Sequence, residues 1–318
     1  YRSGYTSPWK SDFDAMAQKT VLKSILKYAP KSIEMQNAVT FDQAVVNVNS
    51  SDIQDLDIDA FAPEYIDNLE SEKKENIAAK AAEAIGKFYE DAPMAWHGTS
   101  EELIAEEKKA GIDISVVHSA ATSAAQVEVI NNFIIDECNK HPEFIGFGTM
   151  HPDYENFSAE LERIRTAGLK GIKLHSDFQK FTVDDPRMDK IYEKLVELNM
   201  AVIFHAGDYR FDYSGPKRIA HLIEKFPELK IVAAHFGGYT EWDNAVEYLV
   251  GKRVWMDTSS TFWKLPMDKA LEMIRKHGAK YFFFGTDFPM WDATEELARF
   301  NQLKLTPEEK EAILYTNA

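Results

Sequence analysis

Cysteine and long apolar runs are almost absent from this sequence. Cys138 is the one cysteine among 318 residues, so no disulfide can form within the chain, and a reducing cytoplasm is the expected location. No run of about 18 apolar residues occurs, so we expect no membrane span. Basic residues are outnumbered by acidic ones, 36 to 52, and the net charge of −16 argues against a nucleic-acid surface over the whole protein.

Short apolar runs do occur, and from residue 77 onward they alternate with segments of helical apolar spacing. This alternation predicts a parallel α/β sheet. Seven candidate strands are present: Ile114–His118, Phe144–Met150, Gly171–His175, Ala201–His205, Ile231–His235, Val254–Asp257 and Tyr281–Asp287. The predicted fold is therefore α/β, a (β/α)₈ TIM barrel that is incomplete at its first strand, with a helical N-terminal appendage.

Histidines stand at the carboxyl ends of these strands. His205 and His235 close two strands that lie one strand–helix–strand unit apart, and three more rim positions carry His118, His151 and His175. For any one of them, a hydrogen-bonded structural histidine is the alternative. For the set, we expect a metal or acid–base site, because neutral imidazole is a common metal ligand and Asp oxygens suit zinc or manganese.

Three further residues are candidates for chemistry at the same rim. Lys173 shares a strand face with His175. An inward lysine is costly unless it is paired or functional, so Lys173 is predicted to bind an anionic substrate group, with His175 as a further substrate-binding candidate on the same face. Arg210 follows the strand that ends at His205 and is a candidate for lining the same pocket. Asp287 ends the last strand, where it could ligate a metal and accept a proton from bound water, or else cap a helix.

The ordered motifs from residue 77 to 318 resemble amidohydrolase family 2, the metal-dependent barrel enzymes. The resemblance rests on GIDISVVHSAAT, HPEFIGFGTMHPDYE, GIKLHSDFQ, VIFHAGDYR, VAAHFGGYTEW, VWMDTSS and FGTDFPMWD. It implies a hydrolase or a nonoxidative decarboxylase with a divalent metal, zinc or manganese. It also implies that His205 is a metal ligand, that Asp287 is a ligand and proton acceptor, and that His235 acts as acid–base or electrophile.

One family motif is missing from this sequence. The family's first strand carries a His-x-His pair that supplies two metal ligands, but no histidine precedes His97, and the equivalent positions fall near Leu69 and Ser71. Catalytic zinc usually has three protein ligands, so we expect weak metal occupancy. A missing strand would also leave unpaired sheet edges, which favours strand exchange between chains and leaves a homo-oligomer open.

The N-terminal segment has a different sequence pattern. SPWKSDFDAMAQKTVLKSILKYAPKSIEMQNAV, within about residues 5–45, resembles the carboxyl-terminal part of RecT-type phage recombinases, which anneal single-stranded DNA. Its lysines at 19, 23 and 27 are spaced four apart, as on one face of a helix. We therefore predict a chimera: a RecT-like helical segment at 1–60, an acidic linker at 61–76 and an amidohydrolase-like barrel at 77–318.

Three functions remain open at this stage. The first is a metal-dependent hydrolase or decarboxylase that acts on a small carbonyl or carboxylate substrate and is impaired by the loss of the first-strand ligands. The second is a single-stranded DNA annealing fragment joined to a passenger barrel, with DNA as a partner only through the N-terminal segment. The third is a barrel that folds but does not catalyse.

Overall fold

A computed structural model describes residues 85–89 and 94–318 of the chain. The chain divides into two compact units, Tyr1–Leu56 and Asp57–Ala318, and all described residues belong to the second. The predicted RecT-like segment at 1–60 and the predicted linker at 61–76 lie outside the described residues and stay predictions.

Seven parallel strands lie side by side in chain order and curl into a half-barrel. The strands are β1 Ser115–His118, β2 Phe144–Thr149, β3 Gly171–Leu174, β4 Ala201–Phe204, β5 Lys230–Ala233, β6 Trp255–Asp257 and β7 Phe282–Phe283. Because neighbours in the sheet are neighbours in sequence, every strand ends at the same rim. The predicted fold class, an α/β barrel of the TIM type, is confirmed. Its incompleteness at the first strand stays a prediction, because the residues before 85 lie outside the described part.

Helices connect the strands and cover the outside of the sheet. They are α1 Ser100–Ala110, α2 Val127–Lys140, α3 Phe157–Thr166, α4 Ser176–Gln179, α5 Asp189–Glu197, α6 Pro216–Lys225, α7 Trp242–Tyr248, α8 Met267–His277, α9 Ala293–Phe300 and α10 Pro307–Glu311. Their apolar faces bury side chains such as Ile164, Leu195 and Ile219 against the strands. No helix in the described part is long and apolar enough to cross a membrane.

The packing of α2 against the sheet depends on small residues in β2. A Cβ atom added at Gly146 would lie 2.5 Å from Leu169 Cδ2 and 2.7 Å from Cys138 Sγ. Beside it, the buried Asn131 accepts a hydrogen bond from Thr149 N through Oδ1 at 2.6 Å. The glycine allows the helix to approach the sheet closely, and the asparagine satisfies a backbone donor at the end of the strand.

The sheet has two open edges in the described part of the chain. β1 pairs only with β2, and β7 only with β6. Ile114 and Val116, at the β1 edge, are 59% and 48% exposed. The helical layer nevertheless closes across this gap, because α1 packs against α9, and Trp96 N donates to Pro289 O at 3.1 Å.

The seven predicted strands are present in the structure, with one clear difference in bounds. The last strand was predicted over Tyr281–Asp287 but covers only Phe282–Phe283, because Phe284 N donates to Ile313 O instead of to a strand neighbour. The N-terminus of α9 is capped by Asp292, whose side chain accepts from Glu295 N.

Candidate active site

Two predicted site histidines are in direct contact at the rim. His235 Nε2 lies 3.0 Å from His205 Nδ1, and the ring centroids are 4.8 Å apart. Both side chains are buried, with 3% exposure each. The expectation that these two histidines meet in one cleft is therefore supported by the geometry.

The backbone around His235 is unusual and is held by its neighbours. His235 and Phe236 have φ of 60° and 53°, a left-handed conformation that costs about 1–3 kcal/mol for a non-glycine residue and often occurs at functional sites. A Cβ at Gly207 would lie 2.8 Å from the Gly238 backbone, so the loops after β4 and β5 touch there. Trp242 Nε1 donates to His235 O at 3.0 Å. These contacts fix the histidine pair.

The hydrogen bonds around His235 define which ring nitrogens carry protons. Ser259 Oγ donates its one proton to Asp257 Oδ1 at 2.5 Å. Both the hydroxyl and the carbonyl oxygen of Ser259 therefore act as acceptors for His235 Nδ1, at 2.9 and 3.1 Å. Nδ1 thus carries the proton and Nε2 accepts one from His205 Nδ1. It follows that a lone pair remains on His205 Nε2.

Asp177 faces that lone pair. Its Oδ2 lies 4.0 Å from His205 Nε2 and 3.9 Å from His175 Nδ1, and it accepts from Ser214 Oγ at 2.7 Å. Asp177 Oδ1 and His205 Nε2 are buried atoms without a hydrogen-bond partner among the described residues. Burial raises the pKa of Asp177 to about 7, and the Ser214 hydrogen bond opposes the rise. A proton is therefore available here near neutral pH.

His175 packs between aromatic rings. Its ring lies parallel to that of His205, with centroids 4.0 Å apart and an angle of 10°, and Phe178 stacks on its other side at 3.7 Å. Its Nε2 is 2.7 Å from Tyr89 Oη. Burial, followed by the charge of Lys173, holds the pKa of His175 well below the usual range. The ring is therefore neutral at physiological pH.

Lys173 is buried at the end of β3, with 7% exposure. Its ammonium group has no hydrogen bond and no ion pair within 4.0 Å among residues 85–89 and 94–318. Burial lowers its pKa, while the carboxylates of Asp287 and Asp257 oppose the effect. An unpaired buried ammonium is unfavourable by several kcal/mol, so this group favours an anion supplied from outside.

Asp287 is held by the loop after β6. Its Oδ2 accepts from Ser260 Oγ at 2.5 Å, and Trp291 Nε1 donates to the same Ser260 oxygen at 2.8 Å. Its backbone is also left-handed, with φ of 58°. The alternative that Asp287 caps a helix is wrong, because the helix that follows begins at Ala293. Within the described residues, no histidine lies within 4.0 Å of its carboxylate.

Arg210 makes its observed contacts with the protein itself. Its Nε and Nη2 donate to the two carboxylate oxygens of Asp208 at 2.9 and 2.6 Å, and Nη1 donates to Phe88 O. The predicted role of Arg210 in substrate binding stays a prediction. What the structure shows is an arginine that joins the loop after β4 to the helical turn at 85–88.

The other two rim histidines are His118 and His151. Burial, followed by the charge of Lys173, lowers the pKa of His118 to about 3, and the charge of Asp287 opposes the shift. His118, at the end of β1, therefore lies close enough to Lys173 and Asp287 to belong to the same electrostatic group. His151 accepts from Asp153 N through Nδ1 at 3.2 Å, within a local turn. The structure instead adds Tyr89, Asp177 and Ser259, which sequence reasoning missed. Asp177 stands two positions after His175, but no spacing rule distinguishes it from a surface aspartate.

The described donor groups do not fit a resident divalent ion by themselves. A metal binds imidazole in the ring plane, and the parallel rings of His175 and His205 cannot both direct a lone pair at one ion. The facing nitrogens of His205 and His235 are bonded to each other. Only His205 Nε2 and the Asp177 carboxylate face one another with free lone pairs. No three His, Cys, Asp or Glu side chains in the described part are placed to hold a metal.

Comparison with known families identifies the barrel. The amidohydrolase family model matches residues 61–318. The chain belongs to the amidohydrolase family. Its fold is that of an enzyme of hydrolase or carboxy-lyase type. The RecT family model matches residues 1–57, and the segment is 40% identical over 42 residues to the Escherichia coli protein RecT, covering 13% of this chain and 16% of that protein.

Several of the solved structures with a similar fold are decarboxylases. The 5-carboxyvanillate decarboxylase of Sphingomonas paucimobilis superposes with a TM-score of 0.60 at 17% identity, over 82% of this chain and 93% of that one. The Novosphingobium aromaticivorans enzyme, complexed with manganese and a nitrobenzoic acid, superposes with a TM-score of 0.57 at 20% identity, over 69% of this chain and 78% of that one. The 2,6-dihydroxybenzoate decarboxylase of Rhizobium superposes with a TM-score of 0.54 at 17% identity, over 69% of this chain and 87% of that one. At these identities the likeness shows the fold.

Proposed function

We propose that this amidohydrolase is a nonoxidative decarboxylase of a small aromatic carboxylate, with metal loading weakened by the lack of the first-strand His-x-His pair. The observation that carries the proposal is the buried Lys173 ammonium, which has no hydrogen-bond or ion-pair partner in the described part. A substrate carboxylate would supply the missing negative charge. The decarboxylases with a similar fold act on aromatic acids.

Aromatic side chains next to the histidine pair suit a flat substrate. Tyr239 lies with its ring centroid 5.8 Å from those of both His205 and His235. Trp263 continues the surface 6.2 Å from Tyr239 and is 43% exposed, and Trp291 lies nearly parallel to Trp263 at 6.4 Å. Such rings favour an aromatic acid over an aliphatic one, because offset stacking adds to the burial of apolar area.

Decarboxylation needs a proton at the carbon that loses its carboxyl group. A neighbouring acid first protonates that carbon, the bond to the carboxyl carbon then breaks, and carbon dioxide leaves with the ring restored. The Asp177, His205 and His235 side chains form a buried polar row from which this proton can come. Hydrolysis would instead require a positioned nucleophilic water.

Anion binding is the first test of this proposal. Benzoate binding to the full chain, measured by isothermal calorimetry, should weaken about 10- to 100-fold in Lys173→Met, because a charge-assisted hydrogen bond contributes roughly 1.5–3 kcal/mol. The matched control is Lys170→Met, which removes an exposed lysine just before the same strand and should bind normally. Equal affinity in Lys173→Met and the native protein would contradict the proposed role of Lys173.

Turnover and metal content are the second test. A set of hydroxybenzoates is incubated with the protein, alone and with Zn²⁺ or Mn²⁺, in D₂O. The expected product carries one deuterium where the carboxyl group was, and elemental analysis after dialysis should find less than one metal per chain. Amide or ester cleavage without carbon dioxide release would support a hydrolase instead. Benzoate binding without any turnover would identify an inactive barrel.

The RecT match supports a second candidate function for the N-terminal segment. We propose that any single-stranded DNA binding resides in residues 1–57, which match the RecT family model. Fluorescence anisotropy with a labelled oligothymidylate tests this on the full chain. The triple change of Lys19, Lys23 and Lys27 to Glu should abolish salt-dependent binding. Undiminished binding in that variant would contradict the assignment.

A further inference from the structure

Arg210 is surrounded by three aromatic rings as well as by its ion pair. Its guanidinium carbon lies 4.8 Å from the Phe88 centroid, 5.4 Å from Tyr89 and 5.3 Å from Phe211. Both carboxylate oxygens of the fully buried Asp208 accept from it. A planar guanidinium can pair in this way and stack on rings simultaneously, and a lysine cannot.

The contacts of Arg210 act on the short segment that carries Tyr89. Nη1 of Arg210 donates to Phe88 O, and the Phe88 ring packs edge-on against Phe178 at 4.5 Å. These contacts hold the turn at 85–88 against the loops after β3 and β4. Arg210 and Phe88 are 122 residues apart in sequence, so this attachment is a tertiary contact and not a local turn.

Tyr89 then reaches the histidines. Its hydroxyl oxygen lies 2.7 Å from His175 Nε2, and its ring lies 6.1 Å from His205 and 5.6 Å from Tyr239. Burial, followed by the charges of Asp287 and Asp177, raises the pKa of Tyr89 well above its usual value. The phenol therefore stays protonated and is a constant hydrogen-bond partner for the ring.

We infer that Arg210 and Tyr89 are positioning residues, with Arg210 fixing the Phe88–Tyr89 segment and the Tyr89 hydroxyl fixing the rotation of the His175 ring against His205. The inference rests on the proposed function in one respect, namely that this histidine group lines the carboxylate site. It assigns to Arg210 an indirect role in place of direct contact with the substrate. Without the Tyr89 hydrogen bond, the His175 ring keeps only its stacking partners and the long hydrogen bond that Nδ1 accepts from Phe178 N at 3.4 Å, so its rotation is less well fixed.

The experiment is a double-mutant cycle on the full chain, with Tyr89→Phe, Arg210→Met and the two combined. The first readout is the ¹⁵N-labelled imidazole spectrum of the ligand-free protein, with the His175 signals assigned through His175→Gln. The second is the dissociation constant for benzoate. Arg210→Lys is added because it keeps the charge beside Asp208 but loses the planar stack. Arg187→Met removes an arginine that pairs with Asp185 and Asp153 at the surface, and it is the control for the loss of an ion pair away from the site.

We expect Tyr89→Phe and Arg210→Met each to shift the His175 signals and to weaken benzoate binding about five- to tenfold, as for the loss of one buried hydrogen bond. The double variant should be no worse than either single one, because both act through the same contact. Arg210→Lys should show the same spectral shift with a melting temperature near native, and Arg187→Met should leave the His175 signals unchanged.

Two outcomes would overturn the inference. One is an Arg210→Met protein with a lowered melting temperature but native His175 signals, which would make Arg210 a purely structural residue. The other is an effect of Arg210→Met that persists in full in the Tyr89→Phe background. If native protein fails to bind benzoate, the proposed function fails, whereas the imidazole spectra still decide whether Arg210 acts through Tyr89.

Discussion

Replacing Asp177 by Asn should make the protein more stable than the native form at alkaline pH. The Asp177 carboxyl is 4% exposed, and burial raises its pKa from 3.8 to about 7. In the unfolded chain the group ionises near 3.8, so between about pH 4 and 7 the folded state binds the extra proton. Stability contributed by this group is therefore complete below pH 4 and is lost as the pH rises through 7.

The size of the effect follows from the two pKa values. About three units, at 1.36 kcal/mol each, correspond to about 4 kcal/mol lost between pH 4 and pH 8. Asparagine imitates the protonated acid, because it carries no charge at any pH and its carbonyl oxygen can take the place of Oδ2 and accept from Ser214 Oγ. The variant should thus lack this pH dependence, and its advantage over the native protein should grow with pH.

Urea unfolding followed by tryptophan fluorescence at pH 5 and pH 8, with a chelator present, measures the difference. The control is Asp184→Asn, since hydrogen bonds from His221, Thr182 and Arg218 outweigh burial and lower the pKa of Asp184. That carboxylate stabilises the fold above its unfolded pKa, so its replacement should be destabilising at both pH values. An Asp177→Asn protein that is less stable than native at pH 8 would refute the reasoning.

Three further changes test the packing of the barrel, each measured as the free energy of unfolding in urea. Asn131→Ala should lower the free energy of unfolding by about 3 kcal/mol, because it leaves the buried Thr149 amide without its acceptor. A decrease under about 1 kcal/mol would mean that another group accepts from this amide. Gly146→Ala should lower the free energy of unfolding by about 1–3 kcal/mol, since the new Cβ would lie 2.5 Å from Leu169. An unchanged free energy would show that α2 can move outward. Tyr192→Phe removes one buried hydroxyl hydrogen bond and should lower the free energy of unfolding by about 1 kcal/mol. An unchanged urea midpoint would contradict this prediction.

The alternation of strands and helices was predictable because it is a local property of the sequence. Apolar runs such as Ala201–Phe204 are buried on both faces of a parallel sheet and need no distant partner to be recognised. The meeting of His205 with His235 was also predictable, since the ends of neighbouring parallel strands share one rim. The observed 3.0 Å contact between their rings agrees with that argument.

The rest of the site depends on contacts between residues far apart in sequence. Tyr89 and His175 are separated by 86 positions, and neither the spacing nor the residue types around Tyr89 indicate a hydroxyl directed at a histidine. Asp177 became notable only because Ser214 and His205 surround it in three dimensions. The length of the last strand also depends on a distant group, the carbonyl of Ile313, which accepts from Phe284 N.

The β1 edge, which pairs with one strand only in the described part of the chain, has a consequence for the tendency of this protein to aggregate. Ile114 and Val116 are largely exposed beside backbone groups of Ser115–His118 that have one strand neighbour in the described part. An edge of this kind accepts any extended chain that meets it, and the rate of such meetings rises with the square of concentration. Purification and storage should therefore be done in dilute solution, and a lysine in place of Val116 is the simplest way to keep two molecules apart.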